Sequence, residues 1–188
     1  MKQLSLIAAF AAVFLTACHK DATPKPDGFL SLEYPKAAYE YYEAPACGFK
    51  FEKNNLSTVL PEEDCAFKID YPRMKASIYI NYRPVQNNLN LLLKDAQKLT
   101  YNHTVKADNI EESVFEHPEK NVYGMFYRVA GDAATNVQFY ATDSVRNFIV
   151  GTLYFYAKPN YDSIYPAAKY VEADMQTIME TLEWTDEK

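Results

Sequence analysis

Glycine is scarce in this sequence, with five in 188 residues. Phosphate-cradling loops and nucleophile elbows need glycines at fixed spacings, and neither G-x-x-x-x-G-K-[ST] nor G-x-S-x-G occurs. Histidine is scarcer still: His19, His103 and His117 are scattered, with no H-E-x-x-H among them. With three cysteines and no C-x-x-C, the chain offers no clustered ligand set for a metal. Basic residues are outnumbered, 19 Lys and Arg against 25 Asp and Glu, giving a net charge of −6. No Lys/Arg cluster stands out, which argues against nucleic acid or an anionic lipid surface as partner. No cofactor is expected. Only one long hydrophobic run exists, LSLIAAFAAVFL at 4–15. It is shorter than the ~20 residues of a membrane-spanning helix.

That run has its own meaning. Met1-Lys2 supplies a positive start, the apolar centre follows, and the small residues Thr16 and Ala17 precede Cys18. This is the layout of a secretory signal. Leu15-Thr16-Ala17-Cys18 also resembles the lipobox of bacterial lipoproteins, in which the cysteine becomes the first mature residue and is acylated. Residues 1–17 are expected to be a signal peptide and Cys18 the lipidation site. Acyl chains such as palmitate contribute roughly 0.8 kcal/mol per buried CH₂, and two or more anchor stably. Residues 18–28, with Pro24, Pro26 and Gly28, read as a lipidated tether, and 29–188 as one domain.

Export leaves Cys47 and Cys65 as an even pair in an oxidising compartment, which favours a disulfide between them. The closed loop of about 19 residues would contribute ~3 kcal/mol. A zinc pair is the rival reading, but no histidine lies near either cysteine.

From Cys65 onward the hydrophobic period is legible. Phe67, Ile69 and Tyr71 alternate with Lys68 and Asp70; Ala76, Ile78, Ile80 and Tyr82 alternate with Ser77, Tyr79, Asn81 and Arg83. Period two marks two strands, joined antiparallel through Pro72-Arg73-Met74. The period then changes. Leu89, Leu92, Leu93, Ala96 and Leu99 form a helical stripe with Asn88 as N-cap. NVYGMFYRV, NVQFYAT and FIVGTLYFYA follow as a meander, and Ala168, Val171, Met175, Ile178, Met179 and Leu182 form a second helical stripe. Asp162 or Ser163 is the expected cap of that helix, with Pro166 in its first turn. The aromatic segment before Pro45 reads as extended structure across the domain. The fold class is α+β: an antiparallel sheet with two amphipathic helices.

Chemistry-bearing candidates are few. His103 could act as a base, but a polar histidine near a helix end is commoner. Asp143-Ser144 after a strand reads better as a turn than as a site. Sixteen tyrosines are the unusual feature. Most are expected to pack half-buried in a small sheet, yet the number exceeds what a core needs. Tyrosine anchors protein interfaces and stacks on sugars, so binding is the expected class rather than catalysis.

Longer blocks carry a resemblance. PKPDGFLSLEYP at 24–35, the Cys47-Gly-Phe-Lys-Phe and Cys65-Ala-Phe-Lys-Ile-Asp-Tyr-Pro pair, the stretch 75–108, VYGMFYRVAGDAATNVQFYATDS at 122–144 and GTLYFYAKPNYDS at 151–163 resemble the GldD family of gliding motility lipoproteins of the Bacteroidota. The resemblance implies a non-enzymatic accessory of the gliding machinery, linked to type IX protein secretion. Its partners would be other gliding and secretion proteins, and it brings no catalytic residue. The element order is also similar to PsbP/Mog1-like domains. A surface glycan-binding lipoprotein is the alternative. The single Lys20-Asp21 step after Cys18 favours the periplasmic face of the outer membrane.

Overall fold

The computed structural model describes residues 34–101, 107–156 and 161–185. The expected signal peptide, Cys18, the tether and His103 lie outside the described residues. The strands are β1 (Tyr39–Ala44), β2 (Phe49–Asn54), β3 (Thr58–Pro61), β4 (Ala66–Tyr71), β5 (Ala76–Pro84), β6 (Ala107–His117), β7 (Val122–Gly131), β8 (Thr135–Thr142), β9 (Asn147–Phe155) and β10 (Glu183–Trp184). The helices are α1 (Leu89–Tyr101) and α2 (Tyr161–Thr181). A seven-stranded antiparallel sheet runs β3-β4-β5-β9-β8-β7-β6, and a three-stranded sheet runs β1-β2-β10. The class is α+β, as the sequence implies, with a second sheet and two large-sheet strands, β3 and β6, that the periodicity does not reveal.

The period-two alternation decides what each face buries. Phe67, Ile69, Ile78, Ile80, Phe139, Ile149 and Leu153 point to one face. There α2 and the small sheet close over them, with Val171, Met175, Ile178 and Leu182 from the helix. Phe49, Phe51 and Phe67 stack where the small sheet meets the large one, with ring centroids 6.0 to 6.2 Å apart. On the other face α1 covers a smaller core of Tyr127, Tyr140 and Phe148 with Leu92 and Ala96.

Three hairpins share one turn. Pro45–Cys47, Pro72–Met74 and Pro118–Lys120 are single 3₁₀ turns, closed by left-handed Gly48, Lys75 and Asn121. Proline presets φ at the first turn residue and has no N–H to waste there. Two expectations at helix starts need correction. Asn88 does open α1 through its carbonyl, which accepts from Leu91 and Leu92 N–H. Its side chain, however, turns back to accept from Gln86 N–H at 2.7 Å. In α2 the helix starts at Tyr161, so Asp162 and Ser163 lie within the first turn and neither is the cap. Asp162 instead complements the positive end of the helix dipole. Pro166 lies beyond the first turn, where it forfeits one backbone hydrogen bond.

Cys47 and Cys65 are joined by a disulfide with Cα atoms 5.5 Å apart. It ties the β1–β2 turn to the start of β4, and so one sheet to the other.

Asp174 of α2 is buried among aromatic groups of the small sheet. Its carboxylate accepts from Tyr39 Oη at 2.8 Å and from Asn54 Nδ2 at 2.9 Å. No cation faces it among these contacts. Burial raises its pKa, and the bonds from Tyr39 and Asn54 offset only part of that. The sign of the consequence is fixed. Between the unfolded carboxyl pKa of about 3.9 and the higher folded value, the unfolded chain has released this proton while the folded chain still holds it. The group therefore subtracts stability as pH rises through that window. Unfolding titrations across it should show a negative slope from this residue that Asp174→Asn removes. The slope is the readout, because the variant's amide also faces the Asn54 amide and lowers the absolute value. Identical slopes in both proteins would contradict this.

Candidate functional site

Helix α1 covers only part of its face of the large sheet. Beside it, the half built from β4, β5 and the end of β9 carries no helix among the described residues. Period two places Lys68 and Asp70 of β4, Ser77, Tyr79, Asn81 and Arg83 of β5, and Thr152 and Tyr154 of β9 together there. Tyr156 follows β9 directly. Its N–H donates to the Lys75 carbonyl at 2.8 Å, which pins it against the β4–β5 turn.

These side chains form one network. Ser77 Oγ donates to Asp70 Oδ1 at 2.5 Å. Having given its only proton, Ser77 accepts from Tyr156 Oη at 2.7 Å. Tyr156 Oη lies 3.4 Å from Tyr79 Oη. Lys68 Nζ sits 5.5 Å from the Tyr156 ring centre and 3.9 Å from the Asp70 carboxylate. Burial alone would raise the Tyr156 hydroxyl's pKa, but its polar surroundings, the Lys68 ammonium among them, prevail and hold it below the usual tyrosine range. The Tyr79 ring meets Tyr154 edge-on, 5.5 Å between centres at 84°. A foot of buried Ser77 and half-buried Asp70 thus holds rings at the surface, and Tyr156 is 54% exposed.

The network borders a groove of about 490 Å³ between β5, β9 and α1. Phe148, Val150 and Thr152 floor it, Leu92 and Leu99 wall it, and Asn81, Arg83 and Asp95 line its polar side. The combination offers flat apolar rings, fixed hydroxyls and charges of both signs. That is the chemistry of recognition, in which rigid aromatic groups supply area at low entropic cost.

Other candidates resolve into structure. Asp143 Oδ1 accepts from the N–H groups of Val145, Arg146 and Asn147 at 2.7 to 2.8 Å. Burial would raise its pKa, but these bonds outweigh it and hold the carboxyl below the usual range. It builds the β8–β9 turn, as the sequence suggests. Arg128 Nε donates to Glu172 Oε1 at 2.7 Å, and Lys169 meets the same carboxylate at 2.9 Å, locking α2 to β7. The tyrosines of the early segment separate: Tyr39 binds Asp174, Tyr42 packs on Phe51 and Phe67, and Tyr41 is exposed. Among the described residues, no group of three or more His, Cys, Asp or Glu could hold a metal. Sequence parity did put Tyr79 opposite Tyr82 and Tyr154 on the side of Tyr156. It missed the Lys68–Asp70–Ser77 foot, although those residues share the same alternation.

The fold and this face define a single-domain α+β protein with an open aromatic sheet surface. Residues 19–184 match the family model described as gliding motility lipoprotein GldD, and the chain belongs to that family. A comparison with curated proteins gives no match. Among solved structures the chain is similar to cyanobacterial PsbP (CyanoP) from Synechocystis sp. PCC 6803. That similarity has 9% identity and a TM-score of 0.47, and covers 86% of this chain and 98% of that one. So low a score carries no argument about function. Among the described residues no helix is long and apolar enough to cross a membrane.

Proposed function

We propose that this protein is a membrane-tethered docking component of the gliding motility machinery, linked to type IX protein secretion. Residues 1–17 are removed, Cys18 carries the lipid, and residues 18–28 serve as the tether. The anchor sits at the periplasmic face of the outer membrane, and the domain acts by binding other gliding and secretion proteins, not by catalysis. Tethering raises the local concentration, so modest affinities suffice. The observation that carries this reading is the open face on which Ser77 and Asp70 hold Tyr156 and Tyr79 in place.

The test is a triple Tyr79→Ala, Tyr154→Ala, Tyr156→Ala variant in cells. It should reach the membrane at normal levels yet lose gliding and crosslinked partners. Interface aromatics commonly cost 2 kcal/mol or more each on truncation, about thirtyfold in affinity. Normal gliding with unchanged partners would sink the proposal. A second reading, glycan binding, is favoured by one observation: the perpendicular Tyr79 and Tyr154 rings beside Asn81, Arg83 and Asp95. Saturable binding to a polysaccharide panel, lost in the same variant, would select it.

A further inference from the structure

The two ends of the large sheet are built differently. At one end β3 has four residues and finishes on Pro61, which blunts it. At the other end β6 has 11 residues, pairs with β7 on one side, and has no neighbour on the other among the described residues. It contains no proline and no lysine, two of the devices against edge-to-edge pairing, and its register shift is confined to Ala107/Asn109 at its start. A strand leaves an outward row of N–H and C=O groups along such an edge.

Its side chains say what could add there. Glu112, Val114 and Glu116 share one face, and Val114 at the centre is 70% exposed. The Tyr101 hydroxyl donates to Glu112 and fixes that carboxylate. On the opposite face Glu111 pairs with Arg128 at 3.4 Å. Glu111 and Glu112 put charge at the middle of the strand, but on the face of Glu112 and Glu116 an exposed apolar group, Val114, stands between two carboxylates. A second copy of the chain is disfavoured. Antiparallel pairing about Val114 would set Glu112 against Glu116 of the copy, and like charges directly opposite destabilise a strand pair.

We infer that β6 is a strand-addition site for an extended partner segment whose alternate residues read basic, apolar, basic. Main-chain bonds to the edge would supply affinity, and the Glu-Val-Glu face would select the sequence. This goes beyond the tyrosine-face reading and rests on a separate surface.

The probe is a synthetic peptide, Thr-Lys-Thr-Val-Thr-Lys-Thr, titrated into the mature domain and followed by amide NMR. Shifts and exchange protection should centre on residues 112–116. A Glu112→Lys/Glu116→Lys variant should bind it roughly tenfold more weakly or worse and prefer the peptide with glutamates in place of lysines. Peptides N-methylated on alternate residues should lose binding in one register and keep it in the other. The triple tyrosine variant should bind as the parent does, which separates failure here from failure of the tyrosine face. Equal binding of a scrambled peptide, indifference to both N-methylated registers, dimerisation through β6, or no binding would each overturn the inference.

Discussion

Gly124→Ala is expected to destabilise this protein by ~3 kcal/mol or more, the upper end of overpacking costs. Gly124 lies in β7 between its neighbours on β6 and β8. A Cβ there would fall 2.0 Å from the Tyr140 carbonyl oxygen and 2.8 Å from Met179 Cε. The methionine can rotate away. The carbonyl belongs to β8 and can move only by distorting the sheet. Gly151 has a milder version of the same constraint: its missing Cβ is replaced by the Phe139 ring, 2.2 Å from where the atom would be. That ring is fully buried and parallel to Phe126, 6.5 Å away. Since domains of this size have only about 5–15 kcal/mol in hand, urea unfolding of Gly124→Ala should show a large fall in midpoint. A value within ~0.5 kcal/mol of the parent would mean that the strands are not packed as described.

Loss of the disulfide is expected to cost ~3 kcal/mol, the entropy of an unfolded loop no longer closed over a sequence separation of 18. The effect should be uneven. Cys47 and Cys65 join the small sheet to the β3–β4 hairpin, whereas β7, β8 and β9 lie away from the link. The Cys47→Ser/Cys65→Ser double variant should therefore remain folded, because Phe49, Phe51 and Phe67 still stack across the junction. Its β1–β2 and β3–β4 amides should exchange faster, with β8 nearly unchanged. Equal stability of parent and variant, or uniform loosening, would contradict this role.

How far the sequence reveals these features follows from burial. Strands β4 and β5 alternate because one face is the more buried, and α1 and α2 show stripes for the same reason, whereas β9, buried on both faces, reads as a nearly continuous apolar run. Strand β6 is ADNIEESVFEH, exposed along most of its length. An edge strand with water on both sides need not alternate, so periodicity has little to detect. Strand β1 was hidden similarly, with Tyr39, Glu40, Tyr41 and Glu43 all exposed. The shared turn offered a better signal than the strands: proline, two residues, then a left-handed position. Alternation flanks Pro72 on both sides and marks that turn, whereas Pro45 and Pro118 lack it on one side. At the candidate site, parity alone set Lys68, Asp70, Ser77 and Tyr79 on one face. That α1 leaves this half of the face open depends on where the helix packs, which no local pattern encodes.

The proposed tethered docking role is tested by crosslinked capture of the native protein from gliding cells, with mass spectrometry, beside a Cys18→Ala control. A tethered docking protein should bring down gliding and secretion components from the membrane fraction, and lose them when Cys18 is replaced. Recovery of the bait alone, or an unchanged partner set without the anchor, would contradict it.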